Sequence, residues 1–267
     1  MIFAFGGWND AGEAATGAVS HLLNTWPHEL IARFDPEDFY DFQVNRPMVF
    51  VDDSKVRQIN WPTTEVFGIL TPQFDFDLVV VKGLEPSMRW KTFTNELLDL
   101  ADDLEVSKIL TVGSLLADTP HSRPISVSGS GSHPDIAKRL AVEVSRYEGP
   151  TGILGILQEA SQRRGIDSIS LWAAIPHYAS TSPSPKATLA LINALEDFLN
   201  ISIPLADLSE QSRMWEIGID EMAKEDSELG EYVRQLESSK DETELPEATG
   251  ESIAREFERY LRRRNIE

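Results

Sequence analysis

Apolar positions in this chain come in two alternating patterns as far as Pro204. Short continuous runs alternate with longer stretches in which apolar residues recur at helical spacing. Met1–Phe5 is an unbroken run ended by Gly6-Gly7 and reads as a buried strand. The loop GGWNDAG (6–12) follows. Ala14, Ala15, Ala18, Val19, Leu22 and Leu23 then share one face of a helix over 11–23, with Asn9 or Asp10 as its N-cap. Strands are expected over 30–34, 64–70 and 77–81, with FDFDLVVVKG (74–83) reading as a central strand. A hairpin pairs 48–51 with 56–61 across the turn 52–55. Further on, helices are expected over 89–104, 134–147, 153–164 and 187–199, and strands over 108–112 and 168–175. The segment 123–128 should run into a GSGS loop at 129–132.

Strands separated by helices imply a three-layer α/β/α fold. Its central sheet should be mainly parallel and covered on both faces, and the inserted hairpin should make it mixed. After Pro204 the pattern becomes purely helical. Trp215, Ile219 and Met222 form one stripe, with Ser209 as a cap; Leu229, Tyr232, Val233 and Leu236 form another. A polar linker is expected over 238–252, and Ile253, Phe257, Tyr260 and Leu261 lie on one face of a last helix. The expected division is an α/β core over 1–204 and a small C-terminal helical subdomain over 205–267.

Charge narrows the range of partners. The chain carries 24 basic and 44 acidic side chains, a formal charge of −20. Such a field repels phosphate backbones, so no nucleic-acid partner is expected. The compact basic run, Arg262-Arg263-Arg264, sits where cations complement the end of a helix. Cysteine is absent, which removes disulfides, thiolate metal sites and a Cys nucleophile, and fits a reducing, cytoplasmic setting. No apolar run approaches the ~20 residues of a spanning helix, so no membrane partner is expected.

Familiar chemical motifs are incomplete in this chain. GGWNDAG joins a strand to a helix, yet it lacks the lysine of a phosphate-binding loop and the spacing of a dinucleotide fingerprint. SVSGSGSHPD (126–135) offers Ser128, Ser130, Ser132 and His133, and reads mainly as a loop with Ser132 as a helix cap. Gly113-Ser114 follows a strand without the glycine that completes a nucleophile elbow; Ser114 reads as a strand-end or cap residue. The histidines at 21, 28, 121, 133 and 177 show no metal-ligand spacing. No cofactor and no metal are expected.

One constellation remains. In an open α/β sheet the residues just past the carboxyl ends of the strands line a common crevice. GGWNDAG, GLEPSMRW (83–90), DTPHSRP (118–124) and PHYAS (176–180) all follow strands in this way. Trp8, Asn9, Asp10, Glu85, Arg89, Trp90, His121, Arg123, His177 and Tyr178 are therefore the candidate ligand or partner rim. The competing reading is that these residues lock the loops. A buried arginine needs a carboxylate, so Glu85 or Asp10 is expected to pair with Arg89 or Arg123.

The same strings, together with YDFQVNRP (40–47), RYEGPTG (146–152), LWAAIPHY (171–178), PKATLALI (185–192) and FERYLRRR (257–264), resemble the proteasome-assembly-chaperone family in its actinobacterial branch. The resemblance spans nearly the whole chain. It implies a phosphorylase/hydrolase-like three-layer fold, protein partners that are proteasome-related, and a homo-oligomer, with a trimer favoured. Family members that dock on proteasome rings end in a hydrophobic-Tyr-any tail, whereas this sequence ends Asn265-Ile266-Glu267. Docking by that route is not expected.

A non-enzymatic binding and assembly protein is the expected function. The alternative is an enzyme acting on a nucleoside-like or small polar substrate at the rim. Fold alone does not license that alternative, and no activated nucleophile or acid–base pair is legible in the sequence.

Overall fold

The structure, a computed structural model, describes residues 1–71, 73–131, 148–244, 258–259 and 261–263. In chain order the elements are β1 (Ile2–Gly6), α1 (Ala14–Thr25), β2 (His28–Arg33), α2 (Pro36–Phe39), β3 (Met48–Val51), β4 (Arg57–Asn60), β5 (Thr64–Ile69), β6 (Leu78–Leu84), α3 (Trp90–Asp103), β7 (Lys108–Ala117), β8 (Val127–Gly131), α4 (Ile153–Arg163), β9 (Asp167–Pro176), α5 (Pro185–Leu199), α6 (Leu208–Glu225) and α7 (Ser227–Glu244). Seven strands form one sheet in the order β2-β5-β6-β1-β7-β9-β8. It is mixed and mainly parallel, with helices on both sides.

The source of the mixed character differs from expectation. β3 and β4 pair antiparallel but stand outside this sheet as a two-stranded sheet of their own. The antiparallel pairs of the main sheet are β2 with β5 and β5 with β6, while β1 runs parallel to both β6 and β7. A β-bulge interrupts β2 between Leu30 and Ala32.

The chain divides into two compact units. The first holds Met1–Asn9, Trp26–Val112 and Ser130–Ser170. Its core is aromatic. Phe93 on α3 meets Phe5, Phe34 and Phe39 at ring-centroid distances of 5.7, 5.3 and 5.2 Å. Offset and edge-on geometries of this kind suit the ring quadrupoles. Nearby, Tyr40 is buried with its hydroxyl bonded to Thr64 Oγ1 (2.7 Å) and donating to the carbonyl of Leu84 (2.9 Å). Burial pushes its pKa up to about 12.

The second unit holds Asp10–Thr25, Gly113–Gly129 and Leu171–Glu267. α1 packs on α5, α5 on α6, and α6 on α7. The boundary expected near residue 204 falls inside this unit. Gly12 takes a left-handed φ of 58°, and a Cβ there would stand 2.9 Å from Ser184 Cβ, so glycine is required on both grounds. β7, β8 and β9 each supply residues to both units.

Several local expectations are corrected. Ser128–Gly131 extends a strand, because pairing along β9 overrides the weak strand preference of Ser and Gly. Ser238–Glu244, expected as linker, continues α7. Ser209 lies within the first turn of α6, one residue past its start. Ser114 lies inside β7, which runs on to Ala117. α2 is too short to show a helical apolar pattern, although Asp35 caps it and Pro36 opens it. The helix expected over 134–147, with Ser132 and His133, lies outside the described residues, as does most of the linker. No described helix is long and apolar enough to cross a membrane.

Candidate functional site

In the first unit the loop after β1 presents Trp8 to solvent, 66% exposed, and buries the next residue, Asn9. Asn9 Nδ2 donates to Glu85 Oε1 at 2.6 Å, and the backbone N–H of Ile153 donates to the same oxygen at 2.8 Å. A carboxylate thus sits on the first N–H of α4, where the helix dipole favours negative charge. The Glu85 N–H in turn donates to the carbonyl of Gly6 at 2.8 Å. Gly152 closes the group: a Cβ there would stand 2.1 Å from Asn9 Oδ1. That Oδ1 is buried without a hydrogen-bond partner among the described residues.

Arg89 precedes α3 with a left-handed φ of 56°. Its guanidinium lies 5.4 Å from the centroid of Phe39 and pairs with Asp38; both charged side chains are about half exposed. Trp90 Nε1 donates to the carbonyl of Pro86 at 2.6 Å, pinning the GLEPSMRW turn to the start of α3.

In the second unit Asp10 caps α1. Its Oδ1 accepts from the N–H groups of Ala15 (2.7 Å) and Thr16 (3.3 Å), and Thr16 Oγ1 donates to Oδ2. Ser114 Oγ donates to the Ala11 carbonyl at 2.8 Å. Burial raises the Asp10 pKa against the pull of these hydrogen bonds.

His121 is the most enclosed rim residue of this unit, 1% exposed. Its Nδ1 lies 2.9 Å from Tyr178 Oη, and its Nε2 lies 3.1 Å from Asp220 Oδ1 on α6. The His121 backbone N–H donates to Tyr178 Oη at 2.7 Å. One arrangement of protons satisfies every group: Tyr178 donates to Nδ1, and Nε2–H donates to Asp220. Burial, then the nearby Glu237, Tyr232 and Asp220, push the Tyr178 pKa up to about 12, with the bond from the His121 N–H opposing them. Lys186 Nζ donates to the His121 carbonyl and to Glu216 Oε2, both at 2.5 Å. His177 Nδ1 lies 3.3 Å from Asp118 Oδ1, and its ring meets Tyr232 edge-on at 5.4 Å. Arg123 makes a two-pronged pair with Asp241, at 2.8 and 2.7 Å, and lies 3.7 Å from Glu237.

Of the ten candidate residues, the structure brings Asn9 together with Glu85, and His121 with Tyr178 and His177. The expected carboxylate partners of the arginines are corrected. Arg89 takes Asp38, and Arg123 takes Asp241 and Glu237, because Glu85 and Asp10 are engaged by backbone N–H groups at helix starts. The sequence reading missed Asp118, Lys186, Glu216, Asp220, Tyr232, Glu237 and Asp241. One signal was available: Glu216 with Asp220, and Glu237 with Asp241, stand four apart on their helices and so share a face. Chemically these groups hold loops to helices. Among the described residues no cluster of His, Asp or Glu is arranged to hold a metal.

The sheet order and these loop-to-helix ties define an α/β protein of the three-layer class. The sequence model of the PAC2 family matches residues 4–223, and the chain belongs to the PAC2 family. It is similar to a PAC2 family protein from Streptomyces avermitilis, with 53% identity and a TM-score of 0.81 over 87% of this chain and 98% of that one. It is also similar to a proteasome-assembly chaperone homologue from Mycobacterium tuberculosis, with 46% identity and a TM-score of 0.80 over the same shares. PbaB from Pyrococcus furiosus, an archaeal proteasome activator, shares the fold at 19% identity and a TM-score of 0.65, over 83% of this chain and 91% of that one. None of the curated proteins matches the chain.

Proposed function

We propose that this chain is a non-enzymatic binding and assembly protein whose partners are proteasome-related proteins, and that it works in the cytoplasm as a homo-oligomer, with a trimer favoured. The observation that carries this reading is membership of the PAC2 family together with 46% identity to a protein described as a proteasome-assembly chaperone homologue. The absence of cysteine suits a reducing compartment. Large aromatic and arginine side chains dominate binding hot spots, so Trp8 and Arg89 in the first unit, and Arg123 and Tyr178 in the second, are the residues we assign to partner contact. A chain of charge −20 favours basic partner surfaces, and its association should weaken as salt rises.

The test uses purified chain and unassembled proteasome subunits from the same organism, with assembly followed on native gels. The chain should capture subunits and change the rate at which they assemble. The double variant His121→Ala/His177→Ala, once shown by melting to be folded, should keep that capture. Removal of a catalytic acid–base group typically costs about 10²–10⁴-fold in rate. A folded double variant that still captures subunits but loses the protein's cellular role would overturn the binding reading in favour of catalysis.

A further inference from the structure

The β3–β4 hairpin is the least covered part of the described chain. Every residue of both strands is exposed, on both faces. Register sorts the side chains. Val49 opposes Ile59 and Val51 opposes Arg57 on one face; Met48 opposes Asn60 and Phe50 opposes Gln58 on the other. β3 is thus apolar on both sides, with Met48 67% exposed and Phe50 50% exposed. Trp61, at the foot of the hairpin, adds its ring beside Phe42, 4.9 Å away. A two-stranded hairpin with no packed face is marginal in water, so this one needs a covering surface.

We infer that the hairpin is an arm that docks on a second copy of this chain. The inference deepens the homo-oligomer part of the reading above and rests on it. Three observations select a second copy as the occupant. The first is exposed apolar surface. Met48, Val49, Phe50, Val51 and Ile59 are each about half exposed or more, and a concentration of exposed large apolar residues of this kind marks an association surface rather than ordinary monomer surface. The second is charge. Residues 44–61 carry three cations (Arg46, Lys55 and Arg57) against two carboxylates (Asp52 and Asp53), in a chain with 24 basic and 44 acidic side chains. The arm is therefore the segment that the acidic body of another copy attracts. The third is a matching surface. β2 ends the order of the main sheet and exposes Leu30 and Ile31, with Leu70 exposed just past β5. An exposed edge strand of that kind is a template for association. An arm and an apolar edge on one chain allow head-to-tail closure into a ring.

The test measures the mass of the purified full chain by sedimentation and light scattering. The wild type should be oligomeric at micromolar concentration. Phe50→Glu combined with Ile59→Glu places a charge on each face of the arm and should raise the dissociation constant about 30-fold or more, the loss of a hot spot. Hydrogen exchange on the wild type serves if that variant fails to fold. Amides of 48–60 should be protected in concentrated protein and lose that protection on dilution. A monomeric wild type would overturn both the oligomer reading and this inference. An oligomer in which the folded double-Glu variant keeps the wild-type mass, or in which the 48–60 amides exchange equally fast at every concentration, would overturn the arm alone.

Discussion

Two polar groups, one in each unit, use similar residues in opposite ways. In the first unit, Glu85 Oε1 receives Asn9 Nδ2 and the Ile153 N–H within 2.8 Å, and Gly152 lies so close to Asn9 that no Cβ fits. That group is a half-buried staple with one geometry, in which the part-exposed Glu85 closes over the buried Asn9 and Gly152. In the second unit, His121 is enclosed, but its partner Asp220 is 47% exposed, and Arg123 and His177 also reach half-exposed or exposed carboxylates. That group is a set of ties to α6 and α7, with its outer members in water. The contrast shows where change is tolerated. The staple holds its loop to the start of α4, whereas the ties leave polar and aromatic surface in water.

The largest expected effect breaks the staple. Glu85→Ala leaves two donors without their acceptor and should lower stability by about 2–3 kcal/mol, read from denaturant unfolding. Glu85→Gln keeps an oxygen acceptor and should recover most of that loss. Gly152→Ala should cost about 1–3 kcal/mol by overpacking. Part of that cost should vanish in an Asn9→Ala background, because the clash is with the Asn9 side chain; additive effects would show that the close approach is unimportant.

Breaking the ties should matter less. Arg123→Ala, by double-mutant cycle with Asp241→Ala, should give a coupling of about 0.2–1 kcal/mol, since half-exposed ion pairs are screened by water. A coupling near that of the staple would erase the distinction between the two groups.

The two units also differ at alkaline pH. Tyr40 and Tyr178 are both raised from 10.0 to about 12. The unfolded chain releases these protons near 10.0 and the folded chain near 12, so their stabilisation is complete below pH 10.0 and is lost as pH rises towards 12. Tyr40 owes its shift to burial, whereas Tyr178 also faces acidic neighbours. Added salt should therefore lower the Tyr178 pKa and leave that of Tyr40 in place, as read from tyrosinate absorbance of the two Tyr→Phe variants.

The sequence made the backbone of this fold largely readable because its signals are local. The apolar run Met1–Phe5, the face Ala14–Leu23 and the hairpin turn at 52–55 each declare themselves within a few residues. What escaped depends on distant partners. Ser128–Gly131 becomes a strand only because β9 offers it a ladder. Ser238–Glu244 has no apolar stripe, yet Lys240 and Asp241 are held by Ser126 and Arg123, more than a hundred residues away in sequence. The rim shows the same limit. Position after a strand picked out Glu85 and His121, but that Glu85 would serve the start of α4 and His121 would reach α6 follows only from packing.

Calorimetric titration of the purified chain into unassembled proteasome subunits tests the central claim most directly. Binding should be saturable with fixed stoichiometry, should weaken with salt, and should survive in the folded His121→Ala/His177→Ala variant. Absence of binding at micromolar concentration, with chain and subunits both folded, would contradict it.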